Sequence, residues 1–577
     1  MLQPPLRLRP RLLVLVAVAA LIALLGSTHL ATAAVPCTIV ALSALHVPNL
    51  TVLGATDVPA TPPNPAYCHV IAAITTTGAG AGDGSALADL KLPANWNGKF
   101  LFFGTGGLAG APFPSANGVD VAQSLVKGYA TAVTDAGHTG HGPDVLGIFT
   151  DASWAITAPG VPDTLKLTDY YFRAVHDVTV AGKILVKAFF NAASIHRSYF
   201  DGCSNGGRMA FVEATRYPDD FDGIIAGAPF LDIRVVLGGV AKAKALITPA
   251  GYIPFPLLPA IDQAVYASCD AADGVVDGLV QNPAVCAFNP DTLVPGTISQ
   301  AQADALKVYL GAARDRHGRV IYPGFAVTDL HGGGMDAWTT GFVPPLDFSA
   351  AEPWGDAGFS PAPIGFQFVD HIIKFLVERD PTFDVHTFGV SADGVVSDAA
   401  LRLFDRRTEA GDGDRPETLL PFIDKDKKLL VYHGFSDPAL PPFRTVRYYE
   451  DLAEITPGHF DELQENVRLF MVPGMQHCGG GPGPNVFDTL TPLEQWVEQG
   501  VPPESILATH FVNNNPAHGV DRTMPLCKFP EQARYAGTGH VNDAANWSCS
   551  HNRALLRVGP NGAAAGLGRQ DHDHDDE

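Results

Sequence analysis

At 577 residues, with 46% hydrophobic and 17% charged positions, the chain can bury a large core and carry two to four domains. Its formal charge of −22 repels phosphate backbones, which argues against a nucleic-acid partner and leaves a neutral small molecule open as substrate.

The chain starts with arginines at 7, 9 and 11, an apolar run from Leu12 to Leu25, and Ala31-Thr32-Ala33 as a small-residue cleavage site. This order predicts a secretory signal peptide over residues 1–33, the alternative being an uncleaved anchor. No later stretch is long and apolar enough to span a bilayer, so no stable membrane association is expected. Eight cysteines, at 37, 68, 203, 269, 286, 478, 527 and 549, make disulfides the expectation for a secreted or periplasmic chain. Connectivity does not follow from sequence alone. Three pairs lie close along the chain, Cys37 with Cys68, Cys269 with Cys286 and Cys527 with Cys549, which leaves Cys203 with Cys478.

Short apolar runs that end in glycine- or aspartate-rich turns begin at Lys99, Tyr129, Ser198, Phe221, Lys428 and Val467. They predict buried parallel strands whose carboxyl ends open into loops. Between them, the segment from Leu167 has apolar residues at helical spacing and predicts a crossover helix starting at Asp169. The alternation implies an α/β sheet with helices on both faces. Strand signals fade between about 230 and 425, where proline, glycine and aromatic clusters take over, and so long a structureless loop predicts an inserted domain. The expected organisation is a catalytic domain from 34–229 and 425–560, a lid over 230–424, and a disordered acidic tail over 561–577.

Gly202-Cys203-Ser204-Asn205-Gly206 fits the G-x-S-x-G turn that exposes a nucleophilic serine between a strand and a helix. A serine attacks an ester only when a base removes its proton and a third group fixes the base's tautomer. In the α/β-hydrolase order the acid comes next and the histidine last. Asp437, closing "KLLVYHGFSD", is the expected orienter, and His477, closing "VRLFMVPGMQH", the expected general base. A bridge between Cys203 and Cys478 would hold Ser204 and His477 as near neighbours, because bridged Cα atoms stand about 4.4–6.8 Å apart. The alternative is a buried free thiol beside the serine. Oxyanion donors are expected from the N–H of Asn205 and from the glycine loop 104–110, with Gly107 the first choice and Gly106 the second.

Cys203-Ser204, Asp437 and His477-Cys478 together resemble the CS-D-HC arrangement of the tannase and feruloyl esterase family, which includes mono(2-hydroxyethyl) terephthalate hydrolase. "YFRAVHDVTVAGK", "SYFDGCSNGGRMAFVEATRYPDDFDGIIAGAP" and "YHGFSDP" resemble the same family, and the likeness runs from about Cys37 to Cys549. The resemblance implies an α/β-hydrolase fold with a large lid inserted between serine and aspartate. It also implies activity on esters of aromatic carboxylic acids, and His433 near the substrate, against the alternative of a packing histidine at a strand end.

In "CDAADGVVDGLVQNPAVC", Asp270, Asp273 and Asp277 alternate with glycines that let the chain curl. Hard oxygen ligands in a tight loop suit Ca²⁺, with the carbonyls of Val275 and Leu279 completing the shell, and the loop resembles the structural calcium site of that family's lid. The alternative is an acidic surface turn. His138 and His141 have zinc-like spacing but no third ligand in view, so a structural or rim role is expected.

These readings converge on a secreted serine esterase for small aromatic esters of feruloyl, galloyl or terephthaloyl type. A non-catalytic binding module, or a lipase or peptidase of the same fold, is the alternative. Trp338, Phe342, Trp354, Phe366 and Phe368 are the candidate walls for an aromatic acyl group, one or two of them expected to serve.

Overall fold

The structure is a computed structural model that describes residues 35–355 and 361–552; the expected signal peptide and acidic tail lie outside the described residues. Nine strands form the main sheet: β1 (Leu50–Val58), β2 (Tyr67–Thr76), β3 (Gly84–Pro93), β4 (Lys99–Phe103), β5 (Ala130–Thr134), β6 (Arg197–Cys203), β7 (Gly223–Gly227), β8 (Lys428–Gly434) and β9 (Val467–Val472). Their spatial order is β1-β2-β3-β5-β4-β6-β7-β8-β9. From β5 to β9 every pairing is parallel. These six are the strands expected from the apolar runs, and they are buried on both faces, as parallel strands between helix layers must be. The first three pair antiparallel and extend the sheet at the β5 edge. This is the mixed sheet of an α/β-hydrolase fold.

The crossover helix starts earlier than its sequence suggested. Asp163 caps it by accepting from the N–H of Lys166, and the chain winds through a π-helical stretch at Asp169–Arg173 into α1 (Ala174–Phe189). Asp169 is therefore interior, where it accepts from the buried Arg173 guanidinium at 2.6 Å. Three further helices frame the site: α2 (Asn205–Arg216), α3 (Val235–Leu246) and α4 (Ile364–His371).

Between β7 and β8 the described chain adds no strand to the main sheet. Its first part builds a core of its own around Ile261, Val265, Leu306 and Tyr309. Its later part instead packs Phe366, Ile373, Val377, Phe404 and Phe422 into the main core. All eight cysteines are paired, as Cys37–Cys68, Cys203–Cys478, Cys269–Cys286 and Cys527–Cys549.

Candidate active site

Ser204 stands between the end of β6 and the start of α2, with φ 65° and ψ −122°, a left-handed conformation that a non-glycine residue adopts only when its surroundings impose it. Those surroundings are backbone hydrogen bonds: Ser204 N–H donates to the Gly227 carbonyl at 3.0 Å, and the Ser204 carbonyl accepts from Phe230 N–H at 3.1 Å. The turn is tight enough that a Cβ on Gly202 would lie 2.5 Å from the Gly206 carbonyl oxygen, which is why the motif needs glycine there.

Asp437 follows β8 and His477 follows β9, so adjacent parallel strands deliver both. Nδ1 of His477 lies 2.8 Å from Oδ2 of Asp437. The other carboxylate oxygen accepts from the N–H groups of Ala439 at 2.8 Å and Leu440 at 2.9 Å. Burial alone would raise the Asp437 carboxyl, but the charge of His477 and the hydrogen bonds from His433 and His477 outweigh it and hold the group well below the usual carboxylate range. The Cys203–Cys478 bridge joins the residue before Ser204 to the residue after His477, with Cα atoms 6.0 Å apart.

Ser204, Asn205, Gly107 and His477 line one cavity of about 870 Å³, counted out to its open mouth, a size that suits a small ligand. Gly107 has φ 54°, and a Cβ there would lie 2.3 Å from the Phe149 carbonyl oxygen, so this loop comes closer than any side chain permits. The Tyr170 hydroxyl lies 3.1 Å from Asn205 Oδ1 and 3.3 Å from the Gly107 carbonyl, tying both expected oxyanion donors to one phenol. Gly106, the second choice, packs on Ser115 and does not line the cavity.

The remaining expectations divide. His433 is 1% exposed and is not among the lining residues. Its Nε2 lies 3.1 Å from Asp437 Oδ2, so it stands behind the carboxylate instead of against a ligand. Of the five candidate aromatic walls, Trp338, Phe366 and Phe368 line the cavity. Trp338 also meets the His477 ring edge-on at 5.2 Å. Trp354 packs behind Phe366, and Phe342 is exposed. His138 stacks on Trp154 at 3.8 Å while His141 pairs with Asp151, so the two histidines do not share a ligand position.

In the acidic loop the residues fit a hard cation by chemistry. Burial, with Asp277 and Asp270 nearby, pushes the Asp273 carboxyl up to about 6, and its buried Oδ2 has no hydrogen-bond partner among the described residues. Asp270 accepts from the N–H groups of Asp277 and Gly278, while Val275 and Leu279 donate to Asp273 and Asp277, so the loop is curled on its own carboxylates. Arg522 already shares Asp277, at 3.0 Å from Oδ2. The Cys269–Cys286 bridge closes the loop's base.

Sequence reasoning missed Asp329, whose Oδ1 accepts from the Ser436 hydroxyl at 2.6 Å and so ties the inserted segment to the Asp437 loop. It also missed Lys242, a cavity-lining lysine on α3; the available signal was a pair of charges, Lys242 and Lys244, in the otherwise apolar stretch "VVLGGVAKAKAL".

A profile described as Tannase and feruloyl esterase matches residues 68–550. An uncharacterized esterase of Xanthomonas campestris pv. campestris is 33% identical over 576 residues, covering 90% of this chain and 92% of that protein. Mono(2-hydroxyethyl) terephthalate hydrolase of Piscinibacter sakaiensis is 32% identical over 542 residues, covering 84% and 85%. Among solved structures, feruloyl esterase B from Aspergillus oryzae superposes with a TM-score of 0.70 at 24% identity, covering 87% of this chain and 97% of that one, a likeness of fold.

Proposed function

The chain belongs to the tannase and feruloyl esterase family and is an esterase, and from that premise we propose that it is a secreted serine esterase that hydrolyses esters of aromatic carboxylic acids through a Ser204-His477-Asp437 triad. The observation that carries this reading is the Asp437–His477 hydrogen bond at 2.8 Å, on a histidine bridged through Cys478 to the residue beside a strained, cavity-lining serine.

In this mechanism Nδ1–H of His477 donates to Asp437, which leaves Nε2 free to take the Ser204 proton as Oγ attacks the acyl carbon. The N–H groups of Asn205 and Gly107 receive the oxyanion. His477 then returns its proton to the departing alcohol, and a water activated the same way releases the acid from the acyl-enzyme. Trp338, Phe366 and Phe368, together with Leu108, Phe230 and Phe325, line an apolar space suited to an aromatic acyl group. Relatives named probable feruloyl esterase and mono(2-hydroxyethyl) terephthalate hydrolase support feruloyl or terephthaloyl esters, and the tannase half of the family's description supports galloyl esters. The amino-terminal pattern and four disulfides support export to an oxidising compartment. We assign residues 230–424 the part of a lid and the 270–279 loop a structural Ca²⁺, held by Asp270, Asp273, Asp277 and the carbonyls of Val275 and Leu279. That ion would stiffen the insertion and take no part in ester cleavage.

A fluorophosphonate probe should label the wild-type protein and leave Ser204→Ala unlabelled. The variant's kcat on methyl ferulate, methyl gallate or a terephthalate monoester should fall by roughly 10⁴- to 10⁶-fold. Unimpaired turnover in Ser204→Ala would remove the triad, and a preference for long-chain p-nitrophenyl esters over all three would remove the aromatic substrate class.

A further inference from the structure

Lys242 is 6% exposed on α3 and, among the described residues, is the only lysine, arginine or carboxylate lining the Ser204 cavity. The contacts of its ammonium are weak. Nζ lies 3.3 Å from the Gly238 carbonyl and 4.8 Å from the centre of the Phe325 ring, and among the described residues no carboxylate stands within 4.0 Å. Lys374, equally buried, shows the usual arrangement, paired with Asp370 at 2.8 Å. Burial pushes the Lys242 ammonium down to about 8.

A buried cation without a counter-ion is costly unless something else supplies the opposite charge. Here the cation borders a cavity whose polar lining among the described residues is confined to Ser204, Asn205, Thr339 and His477, the rest being leucine, valine, isoleucine, aromatic, proline, alanine and glycine. Phe325, whose face receives the ammonium, is itself part of that wall. A flat apolar acyl group filling the space would bring whatever its far end carries toward this nitrogen.

We propose that Lys242 is a specificity-determining residue that binds a second, ionised carboxylate on the aromatic acyl group, so that the preferred substrates are half esters of aromatic dicarboxylic acids. This rests on the serine-esterase reading above and narrows it. A phenol hydroxyl would give the ammonium a hydrogen bond but would leave its charge uncompensated. Lys242 also borders an adjoining cleft with Lys307 and Asp393; an ammonium turned permanently that way would leave substrate choice untouched.

The test compares monomethyl terephthalate with methyl 4-carbamoylbenzoate, which has the same shape without the charge. Wild type should favour the carboxylate in kcat/KM by roughly 10- to 150-fold, the range of a hydrogen bond to a charged group. Lys242→Met should erase that ratio by slowing the carboxylate ester while leaving the amide within about 3-fold, and Lys242→Arg should retain most of it. The proposal is overturned by a wild-type ratio near one, which needs no variant, or by Lys242→Met slowing both esters alike. Ester hydrolysis of methyl 4-carbamoylbenzoate that disappears in Ser204→Ala keeps the serine mechanism standing whichever way the ratio falls. Absence of Ser204-dependent hydrolysis of either ester overturns both.

Discussion

Two imidazoles meet one oxygen of Asp437. Its Oδ2 lies 2.8 Å from Nδ1 of His477 and 3.1 Å from Nε2 of His433. Nε2 of His433 also faces the Leu440 carbonyl, so it must carry the proton, and Nδ1 then accepts from the Thr445 hydroxyl. His433 is thus a fixed donor that helps keep the carboxylate ionised and aimed. A second buried carboxylate nearby behaves the opposite way. Burial pushes Asp329 up to about 7 despite the Ser436 hydrogen bond, with Asp262 adding to the rise. Its folded value lies above the unfolded value of about 3.9, so the proton favours the folded state. That stabilisation is complete below about pH 4 and is lost as pH rises through about 7. Asp329→Asn keeps a neutral hydrogen-bonding group and should flatten the fall in stability between pH 5 and pH 8, followed as Tm, by an amount on the order of a few kcal/mol. Burial pushes Asp120 and Asp135 up to about 7 as well, so the comparison of variant with wild type isolates Asp329. Parallel Tm profiles for the two proteins would show that Asp329 does not carry the effect.

The β6–Ser204–α2 turn and the loop after β9 are separate elements, and the Cys203–Cys478 bridge is their covalent link. Closing so long a loop constrains the unfolded chain by roughly 5 kcal/mol in the loop-entropy account. The local effect bears on the proposed catalysis, because small misplacements of a nucleophile and its base cost about 10²-fold in rate. Cys203→Ala combined with Cys478→Ala should therefore lower kcat by roughly that factor and lower Tm, while far-ultraviolet circular dichroism stays close to wild type. Equal kcat in the folded variant would mean that the backbone places the pair unaided. These elements were legible in sequence for a physical reason. Strands buried on both faces read as unbroken apolar runs, and the residues that end them face the open ends of a parallel sheet. β2 and β3 alternate between buried and half-exposed positions, with histidine, threonine, aspartate or lysine set among the apolar residues, so no run stands out; a period of two was their signal. The helix start at Asp163 was hidden because Asp169, which resembles a cap, serves an interior ion pair. His433, Asp329 and Lys242 take their meaning from packing partners or from a cavity wall, which residue type alone does not reveal.

Across the whole molecule, the inserted segment is held to the catalytic sheet from several sides. Asp329 bonds Ser436, Gln476 Nε2 bonds the His331 carbonyl at 3.2 Å, and Arg522, on the strand Val520–Cys527 that follows the catalytic sheet in the chain, pairs with Asp277. Leu279, at the end of the acidic loop, is buried against Gly474, in the same loop as His477. A cation that orders this loop would therefore steady a contact with the loop that carries His477, the proposed general base, without touching the ester. Three crowded carboxylates repel one another when ionised, and a divalent ion would relieve that repulsion while satisfying the orphaned Asp273 oxygen. Removing Ca²⁺ with EDTA should lower Tm by several degrees, and Ca²⁺ but not an equal ionic strength of Na⁺ should restore it. Fluorophosphonate labelling of Ser204 should persist in EDTA at low temperature and should be lost at a lower temperature than in Ca²⁺, because the support fails before the triad does. Asp273→Asn should start from the lower Tm and ignore EDTA. A wild-type Tm unmoved by chelation would reduce the loop to an acidic turn held by Arg522, and labelling abolished by EDTA in the cold would move the ion from scaffold to chemistry.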